Sequence, residues 1–307
     1  MRGSIRLACL VSALFLSLGG AVFAADSDDV WDRVEHHWAL NDGVKIHYVT
    51  LGEGPVLLFV HGFPDFWYSW REQMHALSSD FKTVAMDTRG YNQSDKPKGV
   101  ENYAMAVLVE DIDAVRRDLG VEKLTVVGHD WGGAQTWKYA MDHPERTERL
   151  VILNLTHPNG FAAVYANPTP EQKVNTAYAR NFIEAPFDDD ADASRFAAVG
   201  RRGGDVVFGH YQEAMARSYL DGMLNYYRAN YADVSGGNLG VSQVQCPVLQ
   251  FHGLTDTAVD KDGLRDTWNW IDSDYTLVAL PGVGHWVQNE AAEVVTSTMR
   301  SWLLARQ

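Results

Sequence analysis

The chain has 307 residues, 46% of them hydrophobic and 21% charged, which suits one large globular unit with room for an inserted subdomain. A formal net charge of −14 argues against a nucleic-acid partner, which needs basic patches, and against an anionic membrane surface. The two cysteines, Cys9 and Cys246, cannot build a disulfide framework.

The N-terminal segment differs from the rest. Arg2 and Arg6 flank the start of an apolar run from Leu7 to Leu18, and Val22-Phe23-Ala24 offers a small-residue cleavage site after Ala24. That run is too short to span about 30 Å of hydrocarbon. Residues 1–25 are therefore expected to be a signal peptide, and the mature protein to be secreted or periplasmic without stable membrane association. Only Cys246 would remain, and its place before Pro247 and an apolar run predicts a buried structural thiol.

From about residue 31 strand-like and helix-like stretches alternate. Val44 to Thr50 alternates apolar with polar residues, as a half-exposed strand does. Val56 to Val60, Thr83 to Met86, Leu124 to Val127, Leu150 to Leu153, Val248 to Phe251 and Thr276 to Leu280 are short apolar runs, as expected of buried parallel strands. Between them, Val107, Leu108, Ile112, Val115 and Leu119 share one helical face, as do Val294, Val295, Thr298, Met299, Trp302 and Leu303 near the end. This alternation predicts a mostly parallel sheet with helices on both faces. Residues 158–243 break it. They lack a clear strand, open on His157-Pro158-Asn159-Gly160 and close on Ser235-Gly236-Gly237-Asn238, which predicts a helical insertion over the C-terminal strand ends. The core is then 26–157 plus 244–307.

Four segments carry chemistry. In Gly128-His129-Asp130-Trp131-Gly132 a strand ends and a helix starts, with small residues flanking a central aspartate, the pattern of a strained nucleophile turn. A carboxylate is already ionised at neutral pH and can attack an sp³ carbon, forming an alkyl ester; epoxides and alkyl halides offer such carbons. The alternative role for Asp130 is a helix cap. Gly284-His285-Trp286 places an imidazole between a strand and the last helix, where it would activate the water that cleaves the ester. Asp256 lies just past a strand end and would orient His285; Asp260 and Asp262, its neighbours, read as capping or surface charges. The order nucleophile, acid, histidine fits a catalytic triad. His61-Gly62-Phe63-Pro64 bends sharply after a strand, so the N–H groups of Phe63 and Trp131 are expected to form an oxyanion hole. No His-Glu-x-x-His or Gly-x-Gly-x-x-Gly signature occurs, so no metal and no organic cofactor is expected.

Together with the loop from Asp87-Thr88-Arg89-Gly90-Tyr91 to Ser94-Asp95, these segments resemble the α/β-hydrolase epoxide hydrolases from about residue 32 to 304. The resemblance implies an eight-stranded, mostly parallel sheet with an inserted helical cap. It also implies hydrolysis of a small-molecule epoxide to a vicinal diol, by a monomer or homodimer. Family members carry two cap tyrosines that protonate the epoxide oxygen. Tyr178-Ala179-Arg180-Asn181-Phe182 ahead of Pro186 points to Tyr178, and Asn225-Tyr226-Tyr227-Arg228 points to Tyr227, with Tyr226 as its rival. An alkoxide leaving group needs such an acid, whereas a halide does not. Some secreted bacterial relatives pair a cap His with a Tyr and take their acid from an earlier strand. Tyr178 and Asn154 stand at those positions here, which fits the general pattern better. Asn92 departs from the glycine common in its loop. The alternatives are a haloalkane dehalogenase using the same Asp130, although Phe63 stands where an Asn is frequent in those enzymes, and a non-catalytic binding protein on the same scaffold.

Overall fold

The computed structural model describes residues 29–186, 188 and 192–307, so the expected signal segment 1–25 lies outside the described residues. Strands β1 (Glu35–Asn41) and β2 (Val44–Leu51) form a hairpin closed by Asp42 and Gly43. Both turn residues have positive φ, 47° and 84°, the two-residue turn that matches strand twist. Then follow β3 (Val56–Val60), α1 (Arg71–Leu77), β4 (Lys82–Met86), α2 (Met105–Asp118), β5 (Leu124–His129), α3 (Trp131–Asp142) and β6 (Thr147–Leu153). After a helical excursion come β7 (Val248–Gly253), β8 (Tyr275–Leu280), α9 (Val287–Glu290) and α10 (Ala292–Leu304).

The eight strands make one sheet in the order β1-β2-β4-β3-β5-β6-β7-β8, antiparallel at β1–β2 and β2–β4 and parallel thereafter. This is the α/β-hydrolase fold expected from the sequence. All six residues of β5 and of β7 are buried, which is why their sequences are apolar runs and not alternations. Strand order reverses beside β3: the chain steps from β3 to β4 on one side and returns to β5 on the other. The crevice outside the strand ends at such a reversal is where open α/β sheets place ligands. The turns after β3 and β5 both open onto it.

Between β6 and β7 the described residues are helical, with no strand: α4 (Pro158–Ala166), α5 (Pro170–Asn175), α6 (Ala177–Glu184), a 3-10 segment Ser194–Gly203, α7 (Gly204–Arg217) and α8 (Leu220–Gly236). Local signals set their ends. Thr169 and Gln172 make a reciprocal capping box on α5, and Gly237, with φ 75°, terminates α8. Buried polar bonds tie these helices to the sheet region. Tyr211 Oη donates to Asp65 (2.6 Å), Tyr226 Oη to the carbonyl of Arg89 (2.9 Å), and Asn230 joins the N–H of Met105 (2.7 Å) to the carbonyl of Tyr103 (2.8 Å).

Three details depart from the sequence reading. β1 carries no readable apolar pattern, because only Ala39 and Asn41 of this edge strand are buried. β6 begins at Thr147, where Glu148 and Arg149 had masked it. A short helix, α9, which the pattern did not predict, precedes the expected terminal helix, whose face residues from Val294 to Leu303 all lie in α10. Cys246 is buried, and burial pushes its thiol up to about 12.

Candidate active site

Asp130 forms the turn between β5 and α3 with φ 52° and ψ −123°. A non-glycine residue held there stores about 1–3 kcal/mol of strain. Small neighbours make the turn possible. A Cβ on Gly128 would meet Thr136 Oγ1 and the carbonyl of Gly132, one on Gly132 would meet the carbonyl of Val60, and one on Gly62 would meet the Asp130 carboxylate itself. The Asp130 side chain does not cap α3. Instead its Oδ1 accepts a hydrogen bond from the Phe63 N–H at 2.7 Å, while Oδ2 lies 3.6 Å from His285 Nε2. The latter is an ion-pair distance, too long for a hydrogen bond. Trp131 opens α3, so its N–H has no acceptor within the helix.

His285 Nδ1 meets Asp256 Oδ2 at 2.8 Å. Asp256 is fully committed: Oδ2 also accepts from Asn154 Nδ2 (2.7 Å), and Oδ1 from the N–H groups of Ala258 (2.7 Å) and Val259 (3.1 Å). Asp260 instead accepts from the Asp262 N–H and from Gln172, and Asp262 is exposed. Both therefore serve as the capping and surface charges their sequence position implies.

Electrostatics follow from this packing. Burial pulls the His285 imidazolium down, but the charges of Asp256 and Asp130 outweigh it and push His285 up to about 10. Burial likewise penalises the Asp130 and Asp256 carboxylates, yet His285 holds both below the ordinary carboxylate value. In the resting site the charges are thus two carboxylates around one imidazolium. His129, behind them, is depressed to about 4 by burial and by His285, so it stays neutral.

Tyr178 on α6 and Tyr227 on α8 face each other with ring centres 6.2 Å apart and planes at 82°. Tyr227 also packs edge-to-face on Trp131 at 5.1 Å. Burial, reinforced by the Asp130 charge, raises both phenols well above 10.0. Asp130, Tyr178 and Tyr227 line a small chamber on one side and a larger chamber, shared with His285 and Phe63, on the other. Tyr226 lines neither chamber, and its hydroxyl is engaged by the carbonyl of Arg89.

Two residues contribute in ways the sequence did not reveal. Asn154, directly after β6 and fully buried at φ 43°, uses its amide to hold Asp256, the carbonyl of Gly284 (3.0 Å) and the N–H of Gly253 (3.2 Å). His129 Nε2 lies 2.9 Å from the His285 carbonyl, and as a neutral imidazole with that hydrogen bond it donates from Nε2. The signal for both was position, since Asn154 immediately follows and His129 ends a central strand, and for Asn154 also its place where some relatives carry their acid.

Comparison with known proteins agrees with this geometry. The α/β hydrolase fold family matches residues 55–203. The chain is 42% identical over 283 residues to epoxide hydrolase 3 of Mus musculus, covering 86% of this chain and 75% of that protein. It is 31% identical over 285 residues to epoxide hydrolase 1 of Caenorhabditis elegans, covering 85% and 68%. The solved structure of a Bacillus megaterium epoxide hydrolase in complex with an inhibitor is similar with a TM-score of 0.79 and 29% identity, over 87% of this chain and 99% of that one.

Proposed function

The chain belongs to the epoxide hydrolase family of the α/β-hydrolase fold and hydrolyses epoxides to vicinal diols, and from that premise we propose how its residues divide the work. The observation that carries the assignment is the Asp130 carboxylate, with one oxygen on the Phe63 N–H and the other free to face the cavity and His285.

Tyr178 and Tyr227 hydrogen-bond the epoxide oxygen while Asp130 Oδ2 attacks a ring carbon. The carbon–oxygen bond breaks, its electron pair stays on the departing oxygen, and a tyrosine proton neutralises it. The product of this step is a hydroxyalkyl ester of Asp130. Oδ1, already on Phe63 N–H, becomes the ester carbonyl oxygen. His285 then deprotonates water, which attacks the ester carbonyl carbon. The tetrahedral oxyanion on Oδ1 is held by the N–H groups of Phe63 and Trp131. Collapse breaks the bond from the carboxyl carbon to Oδ2; Oδ2 leaves on the product as an alkoxide, takes up the second water proton from the new Asp130 carboxyl, and a diol departs with the carboxylate regenerated.

Loss of the Asp130 charge coordinates these steps. That charge raises the pKa of His285, Tyr178 and Tyr227. Ester formation removes it, so both phenols become stronger acids as the alkoxide develops, and His285 releases its proton more readily, becoming a base when one is needed. The proton given up by His285 replaces the one taken from the tyrosine, and the water proton later restores the imidazolium. The helices of residues 158–243 act as a cap whose role is to carry the two tyrosines over Asp130. We also propose that segment 1–25 directs export, which a mature N-terminus at Ala25 in protein recovered outside the cytoplasm would support.

The test is a trap. His285→Gln mixed with styrene oxide is expected to gain the mass of one epoxide per chain, located on the peptide containing Asp130. A folded variant that gains no mass, or gains it elsewhere, contradicts the proposal.

A further inference from the structure

Asp130 stands where the two chambers meet. Both are lined by Asp130, Tyr178, Tyr227 and Ala258, so a ring held at the tyrosines has space beyond each of its carbons. The chambers differ in character. The smaller is walled by Trp131, Ala134, Leu155, Phe161, Val234 and Val259, all of them buried. Its polar side-chain groups beyond Asp130 are the hydroxyls of Tyr178, Tyr227 and Tyr231 and the Trp131 indole N–H. The larger is walled by Phe63, Phe182, Phe196 and Trp286 and reaches the surface at Arg195, Ala198 and Thr257, which are exposed. Substrate therefore enters through the larger chamber, and the smaller one is its blind end.

We infer that the preferred substrate is an internal epoxide, substituted on both ring carbons, with a compact apolar group in the buried chamber and a larger aromatic or extended group in the outer one. This rests on the epoxide-opening role given to Asp130 and the tyrosines above. A terminal epoxide has no group to bury in the inner chamber and forgoes that contribution. A polar group there loses its water and, with Tyr178 and Tyr227 committed to the epoxide oxygen, gains few partners from a wall that is otherwise mostly apolar. The outer chamber tolerates polarity at its rim, because that rim is solvated.

The experiment measures kcat/KM for four neutral substrates: styrene oxide and its analogues with methyl, ethyl or hydroxymethyl on the second ring carbon. The ethyl compound is expected to exceed styrene oxide by roughly tenfold, the burial contribution of two carbons. The hydroxymethyl compound, equal in size to ethyl, is expected to fall more than tenfold below it. Differences in intrinsic reactivity cancel when the ethyl-to-hydrogen ratio is compared between proteins. Ala134→Leu, which fills the inner chamber, is expected to lower that ratio about tenfold. Val234→Ala, which enlarges the chamber, is expected to extend the preference to longer alkyl groups. A ratio unmoved by both variants, or hydroxymethyl turned over as well as ethyl, overturns the inference while leaving epoxide hydrolysis intact. Diol from no member of the series overturns both.

Discussion

In the proposed mechanism Asp130 acts through its charge as much as through its nucleophilic oxygen. With Asp130 ionised, His285 is held at about 10 by its two carboxylate neighbours. Asp130→Ala removes one of them, so the His285 pKa is expected to fall, as read by imidazole NMR titration; an unchanged value would mean that Asp256 alone sets it. The same pairing makes stability depend on pH. His285 has a folded pKa raised from 6.5, so its contribution is fully present below 6.5 and is lost as pH rises through about 10. Asp256 is depressed from 3.8, so its contribution is present above 3.8 and is lost as pH falls below it. Denaturant midpoints are expected to drop between pH 7 and pH 10.5 in the native protein and to drop less in Asp256→Asn. The tyrosines belong to the same scale. Positioned acids contribute about 10²–10⁴ in rate, and two share the task here. Tyr178→Phe and Tyr227→Phe are each expected to slow ester formation about 10- to 100-fold in stopped-flow measurements, with ester hydrolysis much less affected. Asp130, His285 and Asp256 were legible in the sequence because each sits at a fixed offset from a strand end. The choice of Tyr227 over Tyr226 was not legible from periodicity. Adjacent residues of α8 point apart, and only packing decides which hydroxyl meets Arg89 and which meets the cavity.

The elements bring these residues together by close approach of backbone. Strand β3 and helix α3 nearly touch at the elbow, where Gly132 lies against the carbonyl of Val60. Gly132→Ala is expected to cost about 1–3 kcal/mol or more, because the neighbour is rigid backbone that cannot move aside. Chemical denaturation checks this, and a cost near zero would mean the elbow relaxes. The sequence showed this crowding as the small residues around Asp130, since only glycine permits it. It also showed the parallel strands, whose burial on both faces demands apolar runs. Edge strands were harder to read. β1 was hidden because water covers most of it, so its side chains are free to be polar. Asn92 explains itself once its backbone is seen. At φ 39° it occupies a glycine-like conformation, which asparagine tolerates, and its amide donates to Asp87 at 2.9 Å. Asn154 shares the positive φ and, unlike Asn92, directly follows a strand.

At the scale of the molecule, the proposed mechanism requires the helices of residues 158–243 to stay in register with the sheet, because Tyr178 and Tyr227 ride on them. Asn230 is one fastener, serving the N–H of Met105 and the carbonyl of Tyr103 at once. Asn230→Ala leaves both unpaired and is expected to cost about 1–3 kcal/mol in denaturant unfolding. It is also expected to lower activity at temperatures where the protein remains folded. Loss of stability with full activity would show that this tie does not position the tyrosines. The excursion itself was legible as a gap in the strand pattern, but its seating was not. Its contacts join residues far apart in sequence, such as Tyr211 with Asp65, and no local pattern encodes them. What the proposed mechanism requires of the assembled molecule is a cycle in which the enzyme, not bulk water, first gives an oxygen to the product. A single turnover of excess enzyme with styrene oxide in ¹⁸O-water tests this most directly. The diol is expected to be unlabelled, with the ¹⁸O found in the Asp130 carboxylate. Label in the first-turnover diol, with none in Asp130, would show that water opens the ring directly and would contradict the covalent route.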